Sequence, residues 1–462
     1  MAIPNPLRHQ LPAYSPLTLA GLTRAALRAG SWRGPDPLRE LEDHLVETFQ
    51  AQEVVLTGSG TDGLTLALAV AGAVADDAMG KRRHAAALAL PAYSCFDVAT
   101  AALIQNRPLR FYDLDPGTLG PDPESLRKAL GQGVGVLVLA PLFAVPLDWR
   151  EVESVIDDAG GPELQIVEDA AQGFGGRDER GIPIGGRGDL SVLSFGRGKG
   201  WTGGGGGGAL LVRSARAQRV LARELEEVRP SQGGGREGRP LGRRGPGPGR
   251  RGEDPGREVD TLPASPILQE QPGSRGIPEL GRWGRAAALW GLARPGVYRL
   301  PRSLPFLGLG ETHLRPGRIP RTMGSGEAAR IMAMAGEAGA AVRSRQGAAE
   351  DYGRWIGGKG MKGIVRTVVA PPDTTPGWLR YPIRMERGMA GFTRPAQAQR
   401  MGAAPGYPQA LPHLKAVVPS LAGEGGGQQW PGARELVASL VTLPTHTRTR
   451  AREREALVEL IG

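Results

Sequence analysis

Seven short apolar runs, separated by segments with helical periodicity, constrain this chain more than any other feature. They are EVVLT (53–57), AAALAL (85–90), LRFYDL (109–114), GVLVLA (135–140), QIVED (165–169), LSVLSF (190–195) and GALLV (208–212). Between them, Leu38, Leu41, Leu45 and Phe49 recur at helical spacing after Pro35 and Pro37. An apolar helix is predicted over about 61–75, and further helices near 97–104 and 123–130. Strands that are almost wholly apolar must be covered on both faces, and helices between them act as crossovers. The first 215 residues therefore predict an α/β fold with a mainly parallel sheet covered by helices. Such sheets carry their sites at the carboxyl ends of the strands.

A helix is predicted over RVLARELEEV (219–228), after which the pattern fades until about residue 279. From Gly324 a second, smaller α/β unit emerges. It has a helical run over 326–352, strands over 363–370 and 378–385, and helices over 395–402, 433–440 and 450–461. The division that follows is an N-terminal segment (1–34), a large domain (35–228), a Gly/Arg/Pro-rich insertion (229–262), a connecting segment (263–323) and a small C-terminal domain (324–462).

The net charge of +10 suggests nucleic acid until it is located. Residues 229–257 hold eight Arg against Glu237, Glu253 and Asp254, and 15 of those 29 residues are Gly or Pro. The favoured reading is a solvated, flexible insertion, with a basic arm for RNA or for substrate phosphates as the rival. A single Cys, Cys95, excludes an internal disulfide framework and a cysteine-built zinc cage. The six histidines (9, 44, 84, 313, 413, 446) show no ligand spacing, so no metal is expected. The start, MAIPNPLRHQLPAY, lacks the order of a secretory signal. The apolar stretch 133–147 is too short to span a bilayer and holds Pro141 and Pro146. The expectation is a cytoplasmic protein with no membrane partner.

Three segments carry chemistry. GSGTDG (58–63) follows a strand and opens a helix, as a dinucleotide fingerprint would, but no acid ends the next strand to hold a ribose. The turn reads equally as a cradle for one phosphate or as a turn without ligand. SFGRGKGWTGGGGGG (194–208) fails as a Walker loop, because Leu193 stands where Gly is needed and Gly200 follows Lys199. Its six consecutive glycines let backbone pass very close to something, and Lys199 is either an ordinary loop residue or a nucleophilic amine. Asp169 closes an apolar strand, where a carboxylate needs a cation or several donors. A phosphate cradle, a strand-ending carboxylate and a lysine beyond another strand are together the three anchors of pyridoxal phosphate.

In order and spelling the motifs resemble the DegT/DnrJ/StrS-type sugar aminotransferases, fold-type I enzymes dependent on pyridoxal 5'-phosphate. The matching pieces are Ser59-Gly60-Thr61, Pro91-Ala92-Tyr93-Ser94, FYDLDPGTLGPDPESL (111–126), Glu168-Asp169-Ala170-Ala171-Gln172, Ser194-Phe195 through Lys199, and PGARELVASLVTLPTH (431–446). The resemblance covers residues 30–215 and 430–446 well. It implies that Lys199 holds the cofactor as a Schiff base and shuttles a proton, and that Asp169 pairs with the pyridine nitrogen. It places Gln172 near the ring oxygen, with Gly60, Thr61, Asp62 and Ser194 on the phosphate. The implied reaction moves an amino group from an amino-acid donor, glutamate, to a nucleotide-linked keto-sugar, in a homodimer with shared active sites.

The sequence departs from the family pattern at three points. Cys95 stands where many members stack an aromatic ring on the cofactor, with Tyr93 and Phe96 as neighbours that could do so. The usual acid in the glycine run is absent, and the segment that members send across the dimer interface is replaced by the insertion. A sugar dehydratase on the same fold is a rival that Lys199 disfavours, since such enzymes carry histidine there. A non-catalytic scaffold and a nucleotide- or RNA-binding protein are the rivals from other classes. Arg380 and Arg384 could take a donor carboxylate, but a solvated strand face is the preferred reading. Trp201 and Trp378 are expected to be packing anchors.

Overall fold

The computed structural model describes residues 8–29, 34–80, 85–159, 161, 163–226, 277–292, 294, 297, 320–358, 361, 363–421 and 429–462. The insertion 229–262, including Arg236, Arg239, Arg243, Arg244, Arg250 and Arg251, lies outside the described residues, as does most of 263–323.

The seven apolar runs form one sheet: β1 (Glu53–Thr57), β2 (Ala87–Pro91), β3 (Leu109–Tyr112), β4 (Val134–Leu139), β5 (Gln165–Asp169), β6 (Leu190–Ser194) and β7 (Gly208–Val212). Their order is β1-β7-β6-β5-β4-β2-β3. The neighbours from β6 to β3 run parallel, and β7 is antiparallel to both β6 and β1. β2, β4 and β7 are buried along their whole length, which is why their sequences show no polar alternation.

After α1 (Leu19–Ala29) and α2 (Pro37–Phe49), helix α3 (Gly60–Ala78) crosses beneath the middle of this sheet, and 13 of its 19 residues are buried. Leu, Val and Ala on all its sides suit a helix with neighbours all round. A buried ion pair joins its far end to the approach to β3, with Arg107 Nη2 2.8 Å from Asp76 Oδ2. Asp76 also accepts from the Ala86 backbone N–H at 2.7 Å, so this charge pair is well hydrogen-bonded as burial requires.

The small domain is built on a four-stranded antiparallel sheet. Its strands are β8 (Val365–Thr367), β9 (Tyr381–Met385), β10 (Ala404–Pro405) and β11 (Leu440–Leu443), in the order β10-β11-β9-β8. Tyr352 and Ile356 of the long helix 335–358, together with Leu457 and Val458 of the helix 451–459, close its core.

Several boundaries differ from the sequence reading. The helical run over 326–352 is two helices, Ser325–Ala333 and Ala335–Gly358, separated at Met334. The expected strand over 378–385 begins only at Tyr381 because the preceding backbone is used elsewhere. Gly377 N–H donates to Ala144 O and Leu379 N–H to Phe143 O, both at 2.8 Å, which ties the small domain to the large one. The strand expected over 363–370 shrinks to Val365–Thr367, after which Val369 N–H donates to Gly117 O. Among the described residues no helix is long and apolar enough to cross a membrane.

Candidate active site

The turn between β1 and α3 sets the first wall of the site. Ser59, in extended conformation, caps α3, and its Oγ accepts from the Asp62 N–H at 3.1 Å. The first N–H groups of a helix have no acceptor within it, so those of Gly60 and Thr61 are the donors left for an anion. The Asp62 N–H is already used by the cap, and its carboxylate folds back over Gly58.

Ser194, the last residue of β6, packs against this turn. A Cβ on Gly60 would stand 2.7 Å from Ser194 Cβ and 3.0 Å from Ser194 Oγ. Gly60 is thus the residue that lets a second hydroxyl reach the helix terminus. The partner of the six-glycine run is this same turn. Gly207 N–H donates to Gly58 O at 2.9 Å, and a Cβ on Gly208 would meet the Ser59 carbonyl carbon at 2.5 Å.

Lys199 sits in the loop between β6 and that glycine run, and its backbone is held on both sides. Its N–H donates to Gly196 O at 3.3 Å, and its carbonyl accepts from Ser15 Oγ. Trp201 anchors the loop. It is buried among Phe174, Phe195 and His44, and its indole N–H donates to Ile331 O at 2.8 Å. The packing role expected of Trp201 is what the structure shows.

Asp169 ends β5, next to β6. Strand alternation sends its neighbour Glu168 the other way, into a pocket of backbone donors from Gly185, Arg187 and Gly188. Among the described residues Asp169 Oδ1 accepts one hydrogen bond, from the Ala171 N–H at 3.1 Å. Burial pushes its carboxyl up from the ordinary range, the Lys199 charge pulls it back, and Asp97 adds to the rise. Its charge is therefore undercompensated, as suits a group meant to face a further cation. The Cys95 thiol shares this space. Burial, then Asp97, push it up to about 12, with Lys199 opposing and Asp169 adding.

The remaining wall joins the two domains. Gln172 Oε1 accepts from the Phe143 N–H at 3.1 Å, and its Nε2 donates to the Tyr407 hydroxyl at 2.6 Å. The Tyr407 N–H in turn donates to the Tyr93 hydroxyl, and the Tyr407 ring stacks at 30° on Phe96. Phe143 and Ala144 both hold left-handed backbone, at φ 57° and 59°. This backbone turns both carbonyls toward the Leu379 and Gly377 N–H groups.

The structure thus brings Gly60, Thr61, Asp62 and Ser194 to one end of the site, and Asp169, Cys95 and Lys199 to its centre. Gln172, Tyr93 and Phe96 lie at the domain junction. Tyr407, between Gly406 and Pro408, has no sequence motif that marks it for this role. Arg384 lies against Glu435, at 2.6 Å, but Arg380 departs from the solvated reading, because its Nε and Nη2 are shielded from solvent with no partner among the described residues.

These residues fit pyridoxal phosphate. A cradle at the end of a 19-residue helix that a Cβ would fill, an undercompensated carboxylate and a primary amine are what its phosphate, ring nitrogen and aldehyde need.

Comparison with known proteins agrees. Residues 19–227 match the DegT/DnrJ/EryC1/StrS aminotransferase family. The chain is 30% identical over 219 residues to an L-glutamine:2-deoxy-scyllo-inosose aminotransferase of Streptomyces kanamyceticus, covering 46% of this chain and 47% of that protein. It is 28% identical over 158 residues to a UDP-2-acetamido-2-deoxy-3-oxo-D-glucuronate aminotransferase of Pseudomonas aeruginosa, covering 34% and 40%. The chain therefore spans about half the length, or less, of these curated relatives. The fold likeness is more extensive. The crystal structure of the sugar aminotransferase CalS13 from Micromonospora echinospora superposes with a TM-score of 0.66 at 18% identity, over 97% of this chain and 98% of that one. NtdA of Bacillus subtilis, solved with bound cofactor PMP, gives 0.63 at 15% identity over 96% and 83%. Residues 19–227, somewhat under half of the chain, thus resemble the DegT/DnrJ/EryC1/StrS aminotransferase family, within a fold shared along nearly the whole length with solved sugar aminotransferases.

Proposed function

We propose that this protein is a pyridoxal-phosphate-dependent aminotransferase that moves an amino group from glutamate to the keto carbon of a nucleotide-linked sugar, as a cytoplasmic homodimer. The observation that carries the reading is that Asp169 ends β5 and Ser194, five residues before Lys199, ends the adjacent parallel strand β6, beside the Gly60 turn. When bound, the cofactor supplies an electron sink that stabilises negative charge on the substrate carbon.

The chain's own residues have distinct tasks. The Gly60 and Thr61 N–H groups and Ser194 Oγ bind the phosphate and fix its position. The Asp169 carboxylate keeps a facing ring nitrogen protonated. Lys199 Nζ holds the cofactor and, once free, carries a proton at that atom. Gln172, fixed by Phe143 and Tyr407, orients the ring and helps close the site from water.

The names of the relatives favour a second reading of the substrates. An unlinked keto-cyclitol such as 2-deoxy-scyllo-inosose would then be the acceptor, with glutamine as donor. Two half-reactions tested separately decide between them. Glutamate and glutamine are each mixed with the cofactor-loaded protein, and each acceptor with the aminated form. Asp169→Asn should retain cofactor but slow both half-reactions by orders of magnitude. An Asp169→Asn protein that turns over normally contradicts the proposal.

A further inference from the structure

Lys199 stands in a loop that cannot order itself. Gly196, Gly198 and Gly200 surround it, and within the loop its N–H reaches Gly196 O only at 3.3 Å. Glycine loses more backbone freedom on folding than any other residue, so such a loop is fixed by contacts from outside it.

Those contacts come from the N-terminal segment. Residues 8–18 form neither helix nor strand, so the rest of the protein must satisfy their polar groups. Pro12 and Pro16 bias the residues before them toward extended backbone. Ser15 is buried, and its Oγ donates to the Lys199 carbonyl. Ala13 Cβ lies 3.9 Å from where a Cβ on Gly198 would stand. The Leu17 methyl carbons lie 3.2 and 3.0 Å from where one on Gly204 would stand, and both glycines hold left-handed backbone, at φ 74° and 77°. Gly200 packs instead against Phe174 and against Arg345 Nη1 of the helix 335–358.

The other end of the segment belongs to the small domain. The Gln10 N–H donates to Arg400 O at 2.8 Å, and its Nε2 donates to Arg448 O and Glu453 Oε2, both at 3.1 Å. A carbonyl can only accept, so His446 Nε2 carries the proton that it gives to Leu11 O, at 2.7 Å. Arg448 Nη2 donates to the Tyr14 hydroxyl at 2.9 Å, and its guanidinium lies 4.1 Å from the centre of the Tyr14 ring.

We propose that residues 10–17 are a strap through which the small domain fixes the Lys199 loop, with Ser15 as a positioning residue for Lys199. The hydrogen bond to the Lys199 carbonyl sets where its Cα stands, and hence where its amine reaches. Gln10, Leu11 and Tyr14 make that position depend on the small domain being seated. The inference rests on the aminotransferase reading for what Lys199 does, though not for how its loop is held. An amine that both holds a cofactor and carries a proton is sensitive to small misplacements of its anchor.

The test has two parts. Hydrogen–deuterium exchange is measured on the cofactor-free protein as wild type, Ser15→Ala, Ser15→Thr and Gln10→Ala. Exchange over residues 196–204 should quicken about fivefold in Ser15→Ala and in Gln10→Ala, which loosens only the distant end of the strap. Ser15→Thr keeps the hydroxyl and should exchange as wild type does, and β7 should be unaffected in every variant. Both half-reactions of the cofactor-loaded protein are then followed. In Ser15→Ala kcat should fall at least tenfold in each, with KM for donor and acceptor held within about twofold, and Ser15→Thr should restore kcat. Gln10→Ala carries the test if Ser15→Ala does not fold. Unchanged exchange over 196–204 overturns the proposal, and so does quickening spread evenly through the sheet. A rise in KM at preserved kcat also overturns it. An effect of Ser15→Ala without one of Gln10→Ala overturns the link to the small domain. A chain that takes up no pyridoxal phosphate overturns the aminotransferase reading instead, and exchange in the cofactor-free protein still decides the strap.

Discussion

Gln172 Nε2 and the Tyr407 hydroxyl meet at 2.6 Å across 235 residues of sequence. The bond fastens the small domain to the loop that follows Asp169. Tyr407→Phe removes the acceptor and leaves a buried amide donor unmet, at a cost of about 1–3 kcal/mol. The melting temperature should fall by a few degrees and cofactor should dissociate faster, both measurable by following cofactor absorbance during heating and dilution. A variant with unchanged melting and cofactor release would show that the two domains are held by other contacts.

The Gly60–Ser194 approach has a sharper consequence. An added methyl at Gly60 would stand 2.7 Å from Ser194 Cβ, closer than any relaxed contact. Gly60→Ala should therefore fold, because α3 tolerates alanine, yet bind pyridoxal phosphate at least tenfold more weakly. Adding Ser194→Gly removes the clash but also the phosphate-binding hydroxyl, so the double variant should bind no more tightly than Ser194→Gly alone. Fluorescence titration with the cofactor measures both. Affinity equal to wild type in Gly60→Ala would place the phosphate elsewhere.

How far the sequence was readable follows from where each signal resides. The large sheet was legible because its strands are apolar along their length and separated by helices, so each local pattern agreed with the global fold. Ser59-Gly60-Thr61, Asp169 and Lys199 were legible because each adjoins a strand end, which topology alone makes a site. The small domain was less so. Its strand before Tyr381 was overestimated because residues 377–379 spend their N–H groups on Phe143 and Ala144, a tertiary event with no local trace. Tyr407 and Arg380 were opaque for the same reason. A tyrosine in a proline turn and an arginine before a strand acquire meaning only through partners, or lack of them, far away in the chain.

Acid sensitivity should report on His446. Its Nε2 lies 2.7 Å from Leu11 O, and burial, opposed by that bond and reinforced by Arg448, Arg345 and Arg380, lowers its pKa from 6.5 to about 4. The folded value lies below the unfolded one, so the unfolded chain takes up the proton first. The resulting stability is fully present above about pH 6.5 and is lost as pH falls toward 4. Denaturant unfolding across that window should show a slope that flattens in His446→Gln. An unaltered slope would mean that other groups set the acid limit.

Attachment of the cofactor to Lys199 can be tested directly. The purified protein incubated with pyridoxal phosphate should turn yellow, and borohydride should bleach the band while fixing the cofactor's mass on the peptide that contains Lys199. Lys199→Ala should show neither the band nor the added mass. A wild-type protein that stays colourless, or one whose added mass maps to another lysine, would show that Lys199 does not hold the cofactor.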